Sequence, residues 1–405
     1  MSSDVVLSPV PDVGRSWLSG RIYLLDMSRH ALSIRRYRRV VITALLIGTL
    51  APKLGLGDQP SVDQLLRSLK SNSYQTRALA SERLLGIAET DSSAARNLDG
   101  QLAKPVADGE ELEYRLALIR LKQTIELRRA KRFRAKFLYE PLSTTERPIG
   151  WDQFRQFAGE DFDARLTFVK ITDSDHRFGA RLVSPDQVEW PDEVPCRLGQ
   201  MEFVHWCSLL AQQSSRSIQL SDRWTMSIAV LLRSEGQGPL LTRDYEKVVF
   251  ARLVESYLNE APVDLQDRIC IGMRYGCHRM VESDCQLVLA DPEQSPARIA
   301  VALLAYSALC ENGFTSESRL LTQWLDQYAN DNRVAYVWRS TTPVQKVIRT
   351  QVRDITFALR VHRQGLNPRS LGLESIQAHR RLIYQPYTVG FESEADRLAV
   401  YESIE

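Results

Sequence analysis

Asp173, Asp175 and His176 lie close together in the chain, and two carboxylates beside an imidazole could hold a divalent cation or relay a proton. A working metal site needs further ligands and outer partners to orient them. No motif nearby supplies these, so the three residues are expected in a solvated loop. Cys277, His278 and Cys285 raise the same question with softer ligands. Their spacing lacks the short cysteine pairs of zinc modules, and ordinary buried thiols are expected instead. His205, beside Trp206, falls in the apolar stripe of LGQMEFVHWCSLLAQQ and reads as a satisfied core histidine. Arg128, Arg129, Lys131, Arg132, Arg134 and Lys136 could grip an acidic polymer. A helix dipole favours cations at a C-terminus, and Phe133 and Phe137 give the segment a buried side, so a solvated helix end is expected.

The compact signatures of catalysis are absent: no G-x-x-x-x-G-K-[ST], no H-E-x-x-H, no G-x-S-x-G and no EF-hand loop. No catalytic, cofactor-binding or metal-binding residue is assigned, and no cofactor is expected. Glycan-cleaving carboxylate pairs are brought together by folding and leave no local spacing. An extracytoplasmic polysaccharide hydrolase or lyase on a helical toroid is therefore the competing reading.

The elements that would position any such residues begin after an export-like segment. Arg29, Arg35, Arg36, Arg38 and Arg39 precede an apolar run from Val40 to Ala51, and Gly55 and Gly57 stand before Asp58 as a small-residue cleavage pattern. Crossing a bilayer takes about 20 apolar residues, and this run stops at Pro52 and Lys53. No stable membrane insertion is expected once the signal is removed. Counted from Met27 the signal has ordinary dimensions, so residues 1–26 read as an extension ahead of the true start. Arg38 and Arg39 before Val40 loosely resemble a twin-arginine signal, but arginine clusters are normal in such basic segments and ordinary unfolded-chain export is the expected reading. The chain holds 52 basic and 50 acidic side chains; losing the eight basic and three acidic ones of residues 1–57 leaves 44 against 47, a net charge of −3. A binder of phosphate backbones keeps a surplus of Lys and Arg, so nucleic acid is not the expected partner.

Residues 58–405 exceed the size at which one core keeps growing, so two lobes or an elongated array is expected. The six cysteines, Cys196, Cys207, Cys270, Cys277, Cys285 and Cys310, all lie in the C-terminal part. On one helix, Cys270 and Cys277 would stand about 10 Å apart along the axis, too far to bridge. Ser61 with Gln64 forms a capping box before Leu65, Leu66 and Leu69. After Ser71, Asn72 and Ser73, a second helix from Tyr74 carries Ala80, Leu84, Ile87 and Ala88, with Arg77 near its start. Leu98 and Leu102 mark another small helix. A turn at Asp108, Gly109 and Glu110 follows, and Arg115 then opens a helix through Leu118, Leu121 and Ile125.

The step from Arg77 to Arg115 lies in the period range at which helical hairpins stack. At SYQTRALASERLL and across residues 61–127 the chain resembles the HEAT-like repeat family, in the exported bacterial type of unassigned role. GWDQFRQFAGEDFDARLTFVKI, with Arg165, resembles another such pair, as do Arg353 to Leu359 and the GFESEADR ending. Pro141, Pro148 and Gly150 read as a linker, and Pro185, Pro191, Pro195 and Gly179 make Thr172 to Pro195 irregular.

From Leu198 the reading is helix after helix. It includes DLQDRICIGMRYGCHRM as one segment, and ARIAVALLAYSALC as a helix apolar nearly all round, started by Ser295–Pro296 and stopped by Asn312–Gly313. Thr342, Pro343 and Gln345 are expected to cap a long helix through VQKVIRTQVRDITFALRVHR, which Gly365 ends. The expected fold is all-α, an irregular HEAT-like hairpin array (α-solenoid), with a compact two-lobed bundle as the alternative. Its parts are 1–57 (extension and cleavable signal), 58–140 (N-terminal hairpins), 141–197 (linker, one helical pair and a Pro-rich loop) and 198–405 (C-terminal array). The functional expectation is an extracytoplasmic protein, periplasmic or secreted and cleaved after Gly57, that serves as a protein–protein interaction scaffold.

Overall fold

A computed structural model of the chain describes residues 60–90, 92–105, 111–141, 147–184, 202–215, 222–234, 238–340 and 346–402. The segment expected to direct export, the expected turn at Asp108–Glu110, Cys196 and the expected caps at Thr342, Pro343 and Gln345 lie outside these residues. The chain is mostly helical, with two small antiparallel strand pairs among the described residues, and its backbone divides into two compact units, Met1–Ile125 and Glu126–Glu405.

In the first unit, α1 (Val62–Ser68) starts where Ser61 Oγ accepts from Gln64 N at 3.2 Å and Ser61 N donates to Gln64 Oε1 at 2.9 Å. Helix α2 (Tyr74–Ala88) is capped by Ser73 and α3 (Ser93–Leu102) by Ser92. Helix α4 (Leu112–Tyr139) begins in this unit. Val62, Leu65, Leu69, Ala80, Leu84, Leu98, Leu121 and Ile125 form one buried cluster, each helix turning an i, i+4 stripe inward. The arginine at the start of α2 has a definite role. Arg77 Nη1 reaches back to Ser71 O at 2.7 Å, satisfying a carbonyl that follows α1.

The second unit repeats that device. Arg165 on α6 (Phe162–Ser174) donates to Phe137 O at 3.0 Å and Glu140 O at 3.1 Å, closing the end of α4. Helices α5 (Trp151–Ala158), α6 and α7 (Phe178–Val183) enclose Phe137, Trp151, Phe154, Phe168 and Phe178. The expectation of irregular chain from Thr172 to Pro195 fails at its described start. Thr172–Ser174 complete α6, and Phe178–Val183 is helical because Phe178 and Leu182, one turn apart, are both buried.

Gly179 makes that packing possible. A Cβ there would lie 2.0 Å from Ile149 O, and one on Gly150 would lie 2.5 Å from Gly179 Cα. Gly179→Ala is expected to cost about 1–3 kcal/mol by forcing the backbones apart. Gly86→Ala meets nothing within 4 Å and should be neutral or stabilising, by up to about 1 kcal/mol. Thermal unfolding of the two variants beside the parent checks the contrast; a Gly179→Ala protein as stable as the parent would contradict it.

Helices α8 (Phe203–Ser214), α9 (Asp222–Arg233), α10 (Asp244–Glu260), α11 (Leu265–Tyr275), α12 (His278–Ala290), α13 (Pro296–Glu311) and α14 (Ser318–Gln327) follow. The segment DLQDRICIGMRYGCHRM is two helices rather than one: Gly276, at φ +83°, ends α11 in the left-handed region, and α12 starts beside it. Helix α13 is buried at every residue from Ile299 to Leu309. It packs against α11, α12, α14, α15 (Val352–Arg363), β1 (Val334–Ser340), β4 (Ile383–Tyr384) and the turn Pro386–Thr388.

The long helix expected through VQKVIRTQ is also corrected. Lys346–Gln351 is strand β2, paired antiparallel with β1 through Trp338↔Ile348 and Tyr336↔Thr350. Ile348 and Thr350 are buried and Arg349 between them is exposed, the period-2 pattern that β-branched residues suit. The helix begins only at Val352, where Asp354 Oδ2 accepts from Gln351 N at 2.8 Å. β3 (Ala378–His379), paired with β4, and α16 (Glu394–Glu402) complete the described chain.

Candidate interaction surface

The residues singled out for chemistry are dispersed among structural partners. Asp173 pairs with Arg134, whose Nη1 lies 3.1 Å from Oδ2. Asp175 takes Arg177 N at 3.1 Å and pairs with Arg181, while His176 is exposed. The two carboxylates thus answer to different arginines. Among the described residues no group of three or more His, Cys, Asp or Glu is placed to hold a metal ion.

Cys277 sits at the cap of α12 and donates to Ala251 O at 3.3 Å, and burial pushes its thiol up to about 12. Burial also raises Cys285 well above the ordinary thiol range. Protonated thiols are neither ligands nor nucleophiles at neutral pH. Cys207, Cys270 and Cys310, like these two, are free thiols. His278 stacks on Phe314 with ring centroids 3.6 Å apart. His205 is exposed, not buried as its stripe suggests. Helix α8 turns Trp206 and Cys207 inward and leaves the imidazole outside.

A carboxylate pair of the hydrolytic kind would need a shared cavity. The cavity of about 350 Å³ beside Ser307, Cys310 and His362 contains Glu311 alone of that type. Both imidazole nitrogens of His362 are occupied, Nδ1 by Tyr384 OH at 2.9 Å and Nε2 by Glu311 at 3.3 Å. Among the described residues Asp354 is the carboxyl that burial raises, and it is fully enclosed against Arg397.

The first unit offers a different kind of site. Helix α4 buries Leu121 and Ile125, the stripe its sequence announces, yet Leu112, Leu116 and Ile119 are 68%, 42% and 49% exposed. At 100° per residue these three share one narrow face, roughly opposite Leu121. Arg115 and Lys122 border it on one side and Arg120 on the other, all exposed. Inside the unit, the start of α4 is held by Arg77, 3.5 Å from Glu113, and by Lys70 over the Tyr114 ring at 4.6 Å. The spacing Leu112, Leu116, Ile119 was available in the sequence. It is masked there by the stronger stripe of Leu118, Leu121 and Ile125.

Among the described residues no helix is long and apolar enough to cross a membrane. Comparison of the chain with protein-family models, with curated proteins and with solved structures finds no match.

Proposed function

We propose that the protein is an exported, irregular HEAT-like helical array that acts as a protein–protein interaction scaffold. On this reading an amphipathic helix of a partner docks on the outer face of α4. The observation that carries it is the second apolar stripe of α4, with Leu112, Leu116 and Ile119 in water while the opposite stripe is buried. Large apolar side chains grouped on one exposed face mark interaction sites, and helix-in-groove recognition reads i, i+4, i+7 anchors of this kind. The basic border of Arg115, Arg120 and Lys122 favours a partner helix whose own apolar face is edged by Asp and Glu.

The test is affinity capture from envelope extract with the full chain and with its Leu116→Asp/Ile119→Asp variant, whose exposed positions leave the core alone. A partner recovered by the parent should be lost from the variant by about tenfold or more, the effect of removing two interface anchors. Equal recovery by both proteins would overturn the reading, as would variant-sensitive co-sedimentation with anionic vesicles and no protein partner. Export predicts that the protein recovered from the envelope begins at Asp58, which mass measurement checks.

A further inference from the structure

The cavity of about 350 Å³ at the end of α13 brings opposite charges together without letting them pair. Ser307 and Glu311, one turn apart on α13, share its wall with Ser318 and Leu321 on α14 and with His362 and Arg363 on α15. These three helices pack against one another, so each donates one side of the cleft. Glu311 takes His362 at 3.3 Å, and Arg363 Nη1 donates to the uncharged Thr322 Oγ1 at 3.1 Å. Among the described residues Arg363 has no acidic partner, and the two charges do not bridge each other.

The polar groups of the wall are only partly satisfied. Ser307 is 3% exposed, yet its hydroxyl has no hydrogen-bond partner among the described residues. An enclosed hydroxyl left unpaired is destabilising, and native structures seldom keep one without a reason. His362 Nδ1 meets Tyr384 OH at 2.9 Å, and since a carboxylate can only accept, the neutral ring donates from Nε2 to Glu311 and accepts at Nδ1. Glu311 thus keeps its negative charge, and its Oε1 remains open. Arg363 likewise keeps N–H groups beyond the one given to Thr322. Ser318 stands in the first turn of α14, which has no side-chain cap, so the N–H groups there favour an anion in the same cleft. Glu317, the cap residue, is exposed and is not part of the wall.

We infer that this cavity binds a small zwitterion of the free amino acid or short peptide class, its carboxylate held by Arg363 and the first turn of α14, its ammonium by Glu311, and its polar centre by the Ser307 hydroxyl. A simple anion would be opposed by Glu311 and a simple cation by Arg363. Only a ligand carrying both signs answers both groups. Leu321 and Cys310 supply the apolar part of the wall, and the volume suits a small molecule oriented by a few polar groups. The site is independent of the α4 face.

Calorimetric titration of the full chain with serine and with alanyl-alanine, beside propionate and ethylamine, tests it. One zwitterion is expected to bind saturably and both singly charged probes at least about tenfold more weakly; whether serine or the dipeptide is preferred identifies the spacing of the charges. Arg363→Gln and Glu311→Gln change exposed side chains and should each weaken binding about tenfold or more at unchanged thermal stability. Ser307→Ala should weaken binding about threefold or more without lowering the melting midpoint, because the hydroxyl it removes has no partner in the free protein. No saturable binding of either zwitterion, equal binding of propionate or ethylamine, or binding that survives both charge substitutions would overturn the inference. Leu116→Asp/Ile119→Asp should titrate like the parent, so failure of one site does not imply failure of the other.

Discussion

Arg397→Met should lower the stability of the second unit by about 3–5 kcal/mol, because it strands a carboxylate in the interior. Asp354 is wholly enclosed, and Arg397 Nε and Nη2 donate to its two oxygens at 2.8 and 3.1 Å. Tyr401 OH at 2.7 Å and Gln351 N at 2.8 Å complete the shell, while Arg397 Nη2 also donates to Arg349 O at 2.9 Å, tying α16 to β2 and α15. Burial pushes the Asp354 carboxyl above its ordinary value, and Arg397 is the chief opposing influence. Without the guanidinium, the folded-state value lies further above the unfolded one. Folding of the variant is then favoured at pH below the unfolded value and penalised as pH rises through the folded value. The deficit should accordingly be larger at pH 7 than at pH 5. Urea unfolding at both pH values measures it, and a loss below about 1 kcal/mol at pH 7 would sink the argument. Arg397→Met/Asp354→Leu should recover part of the loss, since the stranded charge is gone and only the neutral Tyr401 hydroxyl and Gln351 N–H lose their acceptor.

Phe168→Ala should cost about 3–5 kcal/mol through the cavity it opens. Phe168 is fully buried and meets Phe137, Trp151, Phe154 and Phe178 at centroid distances of 6.0, 5.5, 5.3 and 5.9 Å. Edge-on and tilted pairs of this kind add about 0.5–1.5 kcal/mol each beyond area, though not additively. The ring joins α6 to the end of α4, to α5 and to α7, so its removal loosens four helices together. Phe133→Ala, at a position 39% exposed, should cost less than about 1 kcal/mol and serves as the control. Calorimetric midpoints for the two variants decide the matter. Equal shifts would mean that the aromatic cluster is not what holds these helices.

Features legible in the sequence are those whose physics is local. The Ser61–Gln64 box, the Ser295–Pro296 start, the Asn312–Gly313 stop and the Gly365 terminus each involve residues within one turn, and each stands where its residues place it. The interior position of ARIAVALLAYSALC was legible because no face of it could tolerate water. Misread segments are those decided by distant partners. VQKVIRTQ carries apolar residues at both helical and strand spacing, and the choice falls to Trp338 on β1 and to Phe391, which bridges Arg349. Val204 and Trp206 fix the rotation of α8, and a one-residue difference in facing put His205 on the wrong side. The cavity that Arg233, Arg274 and Arg381 share in lining could not be foreseen at all, since the three belong to elements whose meeting no spacing encodes.

Helix α13 also constrains the order in which the chain can mature during synthesis. Its earlier neighbours, α11 and α12, exist when it emerges, but α14, α15, β1, β4 and the Pro386–Thr388 turn are still to come. Until those residues are made, a helix with apolar side chains around its whole circumference has cover on only part of its surface. Such a nascent chain exposes a sticky flank for the time taken to translate the last segments, a condition that invites holding chaperones and aggregation. Ribosome-stalled chains in which α13 has cleared the exit tunnel and α15 has not should therefore be protease-sensitive across α13 and lose that sensitivity once residue 402 has cleared it as well.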